Sequence, residues 1–366
     1  MGQALFRVLF AGPLLAACLY WLYLNERQVV EQVRELSWGQ SLAVSTSAET
    51  VDPSLEGQLI HVSARAEAPG EAGVLQDPLL GITAKGLRLK REVRMYQWKE
   101  RAETRQKRSG TTSTSTTVYH YDQVWALEHL DSPLLQVSGH KNPPLPLRTE
   151  SFDSPKVLLG AYRLSKPFVW MLEHWTPLPL EASVPESVSP GFQAPVQLHG
   201  PSTLYVGKDP RNPRVGDLSI SYLVAPPATV TVVGRQVKGF IERYEDPRTN
   251  GFSGLVLAGQ QPLESFFTRL QGFDLEEAWP PRALGCLFVF MILLAFAALL
   301  PAFTGPLSDG QMLCSGLLLC VPVSVLPLGL AWFDFKPVLG VGLMGGGGLG
   351  IYGALLLLRR WARPSS

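Results

Sequence analysis

The sequence predicts an α+β fold, biased toward β, in which one large extracytoplasmic domain is anchored by four transmembrane α-helices, one N-terminal and three C-terminal. Three observations carry this reading. Hydrophobic residues make up 46% of the 366-residue chain and are concentrated at its two ends. The interior alternates strand-like runs with Gly and Pro punctuation. All four cysteines, Cys18, Cys286, Cys314 and Cys320, lie in the apolar ends, so the interior must be held by burial and not by disulfides or a Cys-based zinc site.

At the front, residues 5–24 (LFRVLFAGPLLAACLYWLYL) carry one charge near the edge and are long enough to cross a bilayer core of ~30 Å as a helix. Residues 15–18 (LAAC) also have the shape of a lipobox, in which Cys18 would be lipidated after cleavage. The apolar and aromatic residues that follow, up to Leu24, favour an uncleaved anchor instead. At the back, apolar runs at 283–303, 312–332 and 337–358 are separated around Gly305-Pro306 and Asp334-Phe335-Lys336. Arg359, Arg360 and Arg363 follow the last run. The positive-inside rule therefore places the C-terminus in the cytoplasm, and an even number of spans places the N-terminus there too. The expected organisation is an anchor at 1–24, a first β-rich region at 25–177 and a Pro/Ser-rich linker or loop at 178–201. A second β-rich region at 202–282, three helices at 283–358 and a basic tail at 359–366 complete it.

No Asp, Glu, Lys, Arg or His lies inside the last three runs, which argues against a pump or a proton-coupled transporter. In the last run Gly342, Gly346 and Gly350 recur at four-residue spacing, a pattern that lets another helix approach, either in the same subunit or in a second one.

Within the interior, residues 58–66 and 87–99 read as strands, residues 101–117 (RAETRQKRSGTTSTSTT) as a low-complexity loop, and residues 118–127 as the returning strand of a hairpin. Period-two alternation puts Leu87, Leu89, Val93 and Met95 on one face of the first strand. Arg88, Lys90, Glu92, Arg94, Tyr96 and Trp98 take the other, where an aromatic ladder with Tyr119, Tyr121 and Trp125 can form. Apolar residues at helical spacing predict a mainly helical stretch over 157–175, broken at Pro167. Further strands are expected near 215–222, 228–235, 239–244 and 254–257, with a short amphipathic helix at 262–270.

A net charge of +1 gives no general attraction to nucleic acid. The charge is nevertheless uneven, because ten Lys and Arg lie between residues 85 and 108 against three acids, Glu92, Glu100 and Glu103. Arg88, Lys90, Arg91, Arg94, Tyr96 and Trp98 are therefore a candidate surface for anionic lipid or a partner protein. The alternative is a solvated strand face whose cationic stems cover aromatic rings. The six histidines show no HExxH or other paired metal spacing, and no nucleophile elbow or phosphate loop occurs. No catalytic, cofactor-binding or metal-binding set is assigned, and the protein is read as a non-enzyme. His140 with Asn142, and Asp217, fit turn-forming roles; an envelope hydrolase built on His140 and Asp217 is the least favoured reading.

Several ordered motifs carry a resemblance: MYQWKE (95–100), Tyr119-His120-Tyr121 with Trp125, GHKNP (139–143) and NPRVGDLSISY (212–222). Together with one N-terminal span, a large extramembrane domain and three C-terminal spans, these make the chain resemble the transmembrane protein 43 family, also called LUMA, over nearly its whole length. His140, Asn142, Gly216 and Asp217 are the family-motif positions. Animal members lie in the endoplasmic reticulum and inner nuclear membrane, self-associate and organise other membrane proteins. The resemblance implies a multi-pass scaffold that needs no cofactor and whose partners are membrane lipids, further copies of itself and other membrane proteins. The short N-terminal tail and Arg-heavy basic set point to a bacterial member in the inner membrane with a periplasmic domain, or a lumenal one in a eukaryote. An oligomeric channel lined by Ser315, Ser324 and backbone glycines is the alternative.

Overall fold

A computed structural model describes residues 2–109, 112–131, 139–244, 254–297 and 309–361, the side chains of 2–10, 105–114 and a few positions in the C-terminal helices excepted. Two compact units result: a helical unit built from residues up to 43 and from 262 onward, and a β unit built from residues 44–244 with 254–261.

The N-terminal helix does not stop where its most apolar run stops. Helix α1 (Gly2–Leu42) continues for 41 residues, because Val29, Val30, Val33 and Leu36 recur at helical spacing beyond Leu24 and are all buried.

In the β unit, β1 (Val44–Ser45) pairs in parallel with β2 (Leu59–Glu67), and β3 (Val74–Gln76) forms a small hairpin with β4 (Thr83–Lys85). Two long strands follow, β5 (Arg88–Ser109) and β6 (Thr112–Ala126), then β7 (Glu150–Asp153), β8 (Leu158–Leu159) and β9 (Tyr162–Leu164). After helix α2 (Lys166–Trp170) come β10 (Thr176–Pro177), helix α3 (Val184–Val188), β11 (Val196–Leu198) and β12 (Thr203–Val206). The unit ends with β13 (Leu218–Ala225), β14 (Ala228–Val237), β15 (Phe240–Glu242) and β16 (Leu255–Ala258).

One sheet has the order β1-β2-β8-β9-β15-β14-β16, and β14 pairs β2 as well, so five of its strands close into a ring. Ile60, Val62, Tyr162, Phe168, Val232 and Ile241 fill that ring. The other sheet has the order β11-β12-β13-β5-β6, with β10 on β13 and β7 on β5. Its inner face is Leu89, Val93, Leu218, Ile220 and Tyr222, and β13 alternates buried and half-buried residues as period two requires.

Three expectations are corrected here. Residues 157–175 are not mainly helical: β8 and β9 turn at Gly160 (φ +62°), and only α2 is helix. Leu159, Tyr162 and Leu164 are the inward positions of two short strands, a spacing that imitates one helical turn. Residues 101–117 are not a long loop, since β5 runs to Ser109 and β6 starts at Thr112, and the β-branched Thr residues suit a strand. Residues 178–201 are not a boundary between subdomains. Leu178, Leu180, Val184, Val188, Phe192 and Val196 pack into the second core.

The helical unit continues with α4 (Leu263–Glu277), α5 (Trp279–Ala297), α6 (Asp309–Phe333) and α7 (Pro337–Trp361). Among the described residues, three stretches are long and apolar enough to cross a membrane: Leu263–Ala295, Leu313–Phe333 and Pro337–Leu358. The first has 33 residues, about 50 Å at ~1.5 Å per residue, so it exceeds a bilayer core of ~30 Å and joins the amphipathic 262–270 segment directly to the apolar run. The end of the expected 283–303 run, the hinge at Gly305-Pro306 and Arg363 lie outside the described residues.

The glycines of α7 also differ from expectation. A Cβ on Gly342 or Gly346 would meet nothing within 4 Å among the described residues, whereas Gly350 lies against Pro322. Close approach to α6 is made by Gly340 and Gly347, where a Cβ would collide with the backbone of Phe333 and with Leu326 and the Pro322 carbonyl. The contact face is therefore rotated from the 342/346 line.

Candidate functional site

β5 is the strand that organises the site. It pairs with β13 only from Arg88↔Ala225 to Met95↔Leu218, whereas its pairing with β6 continues from Met95↔Ala126 to Ser109↔Thr112. Beyond Met95 the hairpin therefore leaves the sheet as a two-stranded ribbon. Among the described residues, β6 pairs with β5 alone and its outer edge is open.

The base of the ribbon carries the expected aromatic row. Tyr96 and Trp125 are cross-strand partners with ring centroids 5.2 Å apart. His140 stacks on Tyr121 at 4.3 Å and meets Trp98 edge-on at 4.5 Å. Asn142 holds this turn in place: its Oδ1 accepts the Trp98 N–H at 2.7 Å, and its Nδ2 donates to the carbonyls of Trp98 and Leu130 at 2.9 and 2.7 Å. Gln97, fully buried, donates to the Glu128 carbonyl and accepts the Leu130 N–H. The GHKNP turn is thus seated on the ribbon by side chains that satisfy backbone groups at the point where β13 no longer does.

Asp217 closes the same end of the sheet. Its carboxylate accepts the Arg214 N–H at 2.8 Å and the Tyr205 hydroxyl at 2.5 Å, while Gly216 takes a positive φ of +102° and donates to the Tyr96 carbonyl. Burial, then the Asp217 carboxylate, pushes the Tyr205 hydroxyl well above its ordinary pKa, so Tyr205 stays a hydrogen-bond donor. The Gly216-Asp217 turn lies beside the GHKNP turn, since a Cβ on Gly216 would come within 3.1 Å of Pro143, and the contacts of His140 and Asp217 described above are structural.

The basic set is divided. Arg88 and Arg91 are not on a surface, being 7% and 1% exposed. Arg88 Nε donates to Asp153 at 2.8 Å, and its Nη1 donates to the Trp170 carbonyl at 2.6 Å. Arg91 shares the inner face with Leu89, Val93 and Met95, because its odd position gives it their phase. There its Nη1 donates to both oxygens of the fully buried Asp77 at 2.6 Å, and Nη2 reaches Glu150 at 3.0 Å. The Tyr222 hydroxyl gives Asp77 a further hydrogen bond at 2.5 Å. Burial pushes the Asp77 carboxyl up, but the bonds from Tyr222, Arg91 and the Leu79 N–H prevail and hold it below the usual carboxylate range. Lys90 lies over the Trp175 ring, 5.9 Å from its centroid, and 3.6 Å from Glu92. Arg94 pairs with the same Glu92 at 2.8 Å and is the exposed member of the set. Alternation along the sequence suggests one basic face, whereas the structure has two buried structural cations and two surface ones.

A second polar cluster, which no motif announces, lies in the helical unit. Glu26 is 1% exposed and takes a two-pronged ion pair from Arg282 at 2.7 and 2.8 Å, with the Trp332 indole N–H donating to Oε1 at 2.6 Å. Lys336 lies over the Trp332 ring. The start of the apolar portion of α5, the end of α6 and the start of α7 thus meet α1 at one level, with the Trp and cationic residues typical of a membrane interface. The signal in the sequence is the pair of opposite charges bordering the first and second apolar runs.

The chain is similar to known proteins over most of its length. The profile of the family described as Transmembrane protein 43 matches residues 95–337. Transmembrane protein 43 of Rattus norvegicus is 27% identical over 343 residues, covering 87% of this chain and 82% of the relative, and that of Homo sapiens gives the same figures. The Transmembrane protein 43 homolog of Drosophila melanogaster is 25% identical over 342 residues, covering 89% and 87%. No solved structure matches the chain.

Proposed function

This chain belongs to the transmembrane protein 43 family, and from that premise we propose that it is a multi-pass membrane scaffold, not an enzyme, which self-associates and gathers other membrane proteins or lipids through its β unit. The observation that supports this most is the ribbon. A two-stranded hairpin is marginal in water on its own, yet here it extends well past the last pairing with β13, with an open β6 edge and Tyr119 exposed on it. An open edge and exposed aromatics are what an added strand or a second ribbon can cover.

In the same reading residues 5–24 form a fourth span beside the three apolar C-terminal stretches. The basic residues that end α7 face the cytoplasm, both termini lie on that side, and the β unit lies across the membrane, in the periplasm of a bacterium. Arg94, the exposed member of the basic set, is the cation that an acidic group on a partner or a lipid would meet, in exchange for its pairing with Glu92.

The test is a shortened hairpin in which residues 101–120 are replaced by Asn-Gly, joining Glu100 to its partner Tyr121 through a two-residue turn. Full-length and shortened chains are purified in mild detergent and weighed as particles. The full-length chain should form assemblies of more than one copy, and the shortened one should lose them with an unchanged circular dichroism spectrum. A full-length chain that is strictly monomeric and carries no partner would overturn the scaffold reading.

A further inference from the structure

The ring-shaped sheet and β7 enclose a cleft of about 560 Å³ whose floor is apolar, from Val157, Leu164 and Val169, and whose rim is polar. That volume lies in the range of small-molecule sites. Arg163 and Lys166 line the cleft, and among the described residues neither has a carboxylate partner. Arg163 donates once, from Nη2 to the Pro155 carbonyl at 2.8 Å, with its guanidinium over the Phe240 ring. Lys166 lies over the Trp170 ring, 5.2 Å from its centroid. Between them Ser165 presents an Oγ that is shielded from solvent and has no hydrogen-bond partner. The Asp153 carboxylate on the opposite wall is already taken by Arg88 and the Trp170 indole. The Arg163, Lys166 and Ser165 donors remain to be satisfied, and the Glu242 carboxylate, which also lines the cleft, supplies an acceptor.

A buried hydroxyl with no partner and two cations with spare N–H groups ask for a ligand rich in acceptor oxygens, and a phosphate group supplies them with charge to match. The apolar floor leaves room for an organic body, and Glu242 can accept from a hydroxyl on it. We propose that this cleft is a binding site for a small phosphomonoester bearing a hydroxyl group, held by Arg163, Lys166 and Ser165 at its phosphate and by Glu242 at its hydroxyl. The phosphate can come from a soluble ester or from a lipid head group.

The test uses the full-length chain in phosphatidylcholine nanodiscs, titrated by calorimetry with glycerol 3-phosphate and, separately, with inorganic phosphate. Glycerol 3-phosphate should bind saturably at one site. Lys166→Gln should weaken it roughly ten- to a hundredfold, as expected for loss of a charge-assisted hydrogen bond, and Ser165→Ala about tenfold. Inorganic phosphate should bind more weakly with the same dependence on Lys166, whereas Glu242→Gln should weaken glycerol 3-phosphate alone. Discs doped with lysophosphatidic acid, a lipid phosphomonoester that keeps one free glycerol hydroxyl, distinguish the sources: loss of glycerol 3-phosphate binding assigns the site to a lipid head group, and retention assigns it to a soluble ester. The proposal is overturned if no probe binds saturably, or if affinity is the same in Lys166→Gln and Ser165→Ala variants whose circular dichroism matches the parent chain.

Discussion

Arg91 and Asp77 meet at 2.6 Å inside the β unit, one 1% and the other 0% exposed, so the most buried cation of the supposed basic surface is a structural tie between the β3–β4 hairpin and the second sheet. Removing the Asp77 charge leaves the buried Arg91 with Glu150, 54% exposed, as its remaining carboxylate, and breaking a buried pair typically costs ~3–5 kcal/mol. Asp77→Asn should therefore lower the thermal midpoint of the full-length chain strongly, while Arg94→Ser, on the exposed side of the same strand, should leave it within ~0.5 kcal/mol. The double variant Asp77→Leu with Arg91→Met should recover much of the loss, because it removes both charges. If Asp77→Asn unfolds at the parent temperature, the tie contributes nothing.

The phase of β5 explains both what could be read and what could not. Alternation made the strand and its aromatic partners legible, and Tyr96 does face Trp125. The same alternation assigns Arg91 to the apolar face, but its carboxylate partner is 14 residues away in a hairpin that only the folded chain brings alongside. Residues 101–117 looked like loop because they lack apolar residues. Residues 101–109 and 112–117 are strand because they pair across the ribbon, which needs no core. Likewise, which glycines of α7 touch α6 depends on the rotation of the two helices, and a four-residue repeat does not fix that.

His61 makes the β unit acid-sensitive. Its Nε2 lies 2.9 Å from the Gln261 carbonyl and its Nδ1 3.1 Å from Ser45 Oγ, an arrangement that a neutral ring satisfies by donating to the carbonyl and accepting from the hydroxyl. Burial lowers its pKa below the ordinary 6.5, against the opposing pull of the Gln261 carbonyl. Between the lowered value and 6.5 the unfolded chain binds more protons than the folded one, so stability falls as pH drops through that window. The thermal midpoint should decline from pH 7 to pH 5, and His61→Gln should flatten that section of the profile. A slope unchanged by the substitution assigns the acid sensitivity elsewhere.

Glu26 is the keystone of the helical unit's polar cluster, since Arg282 and Trp332 both depend on its Oε1. Glu26→Ala leaves a buried guanidinium without its anion and should cost several kcal/mol, seen as a lower thermal midpoint in detergent. Glu26→Gln keeps acceptors for both donors and should cost less, about 1–3 kcal/mol. Equal losses in the two variants would mean that the space filled by the side chain, not its oxygens, is what the cluster requires.

Glycine substitutions separate packing within the chain from packing between chains. Gly340 and Gly347 lie where a Cβ would strike α6, so Gly340→Val and Gly347→Val should lower stability by ~1–3 kcal/mol through overpacking. Gly342 and Gly346 have open space, and alanine there should leave the monomer as stable or slightly more so, since Ala is the better helix former. A change that Gly342→Val or Gly346→Val makes to the assembled particle without lowering the midpoint then points to contact between copies. Particle mass in mild detergent, measured with the thermal midpoint, distinguishes the cases. A lower midpoint with the assembly retained means contact inside the chain, and an unchanged midpoint with the assembly lost means that this open face of α7 joins subunits.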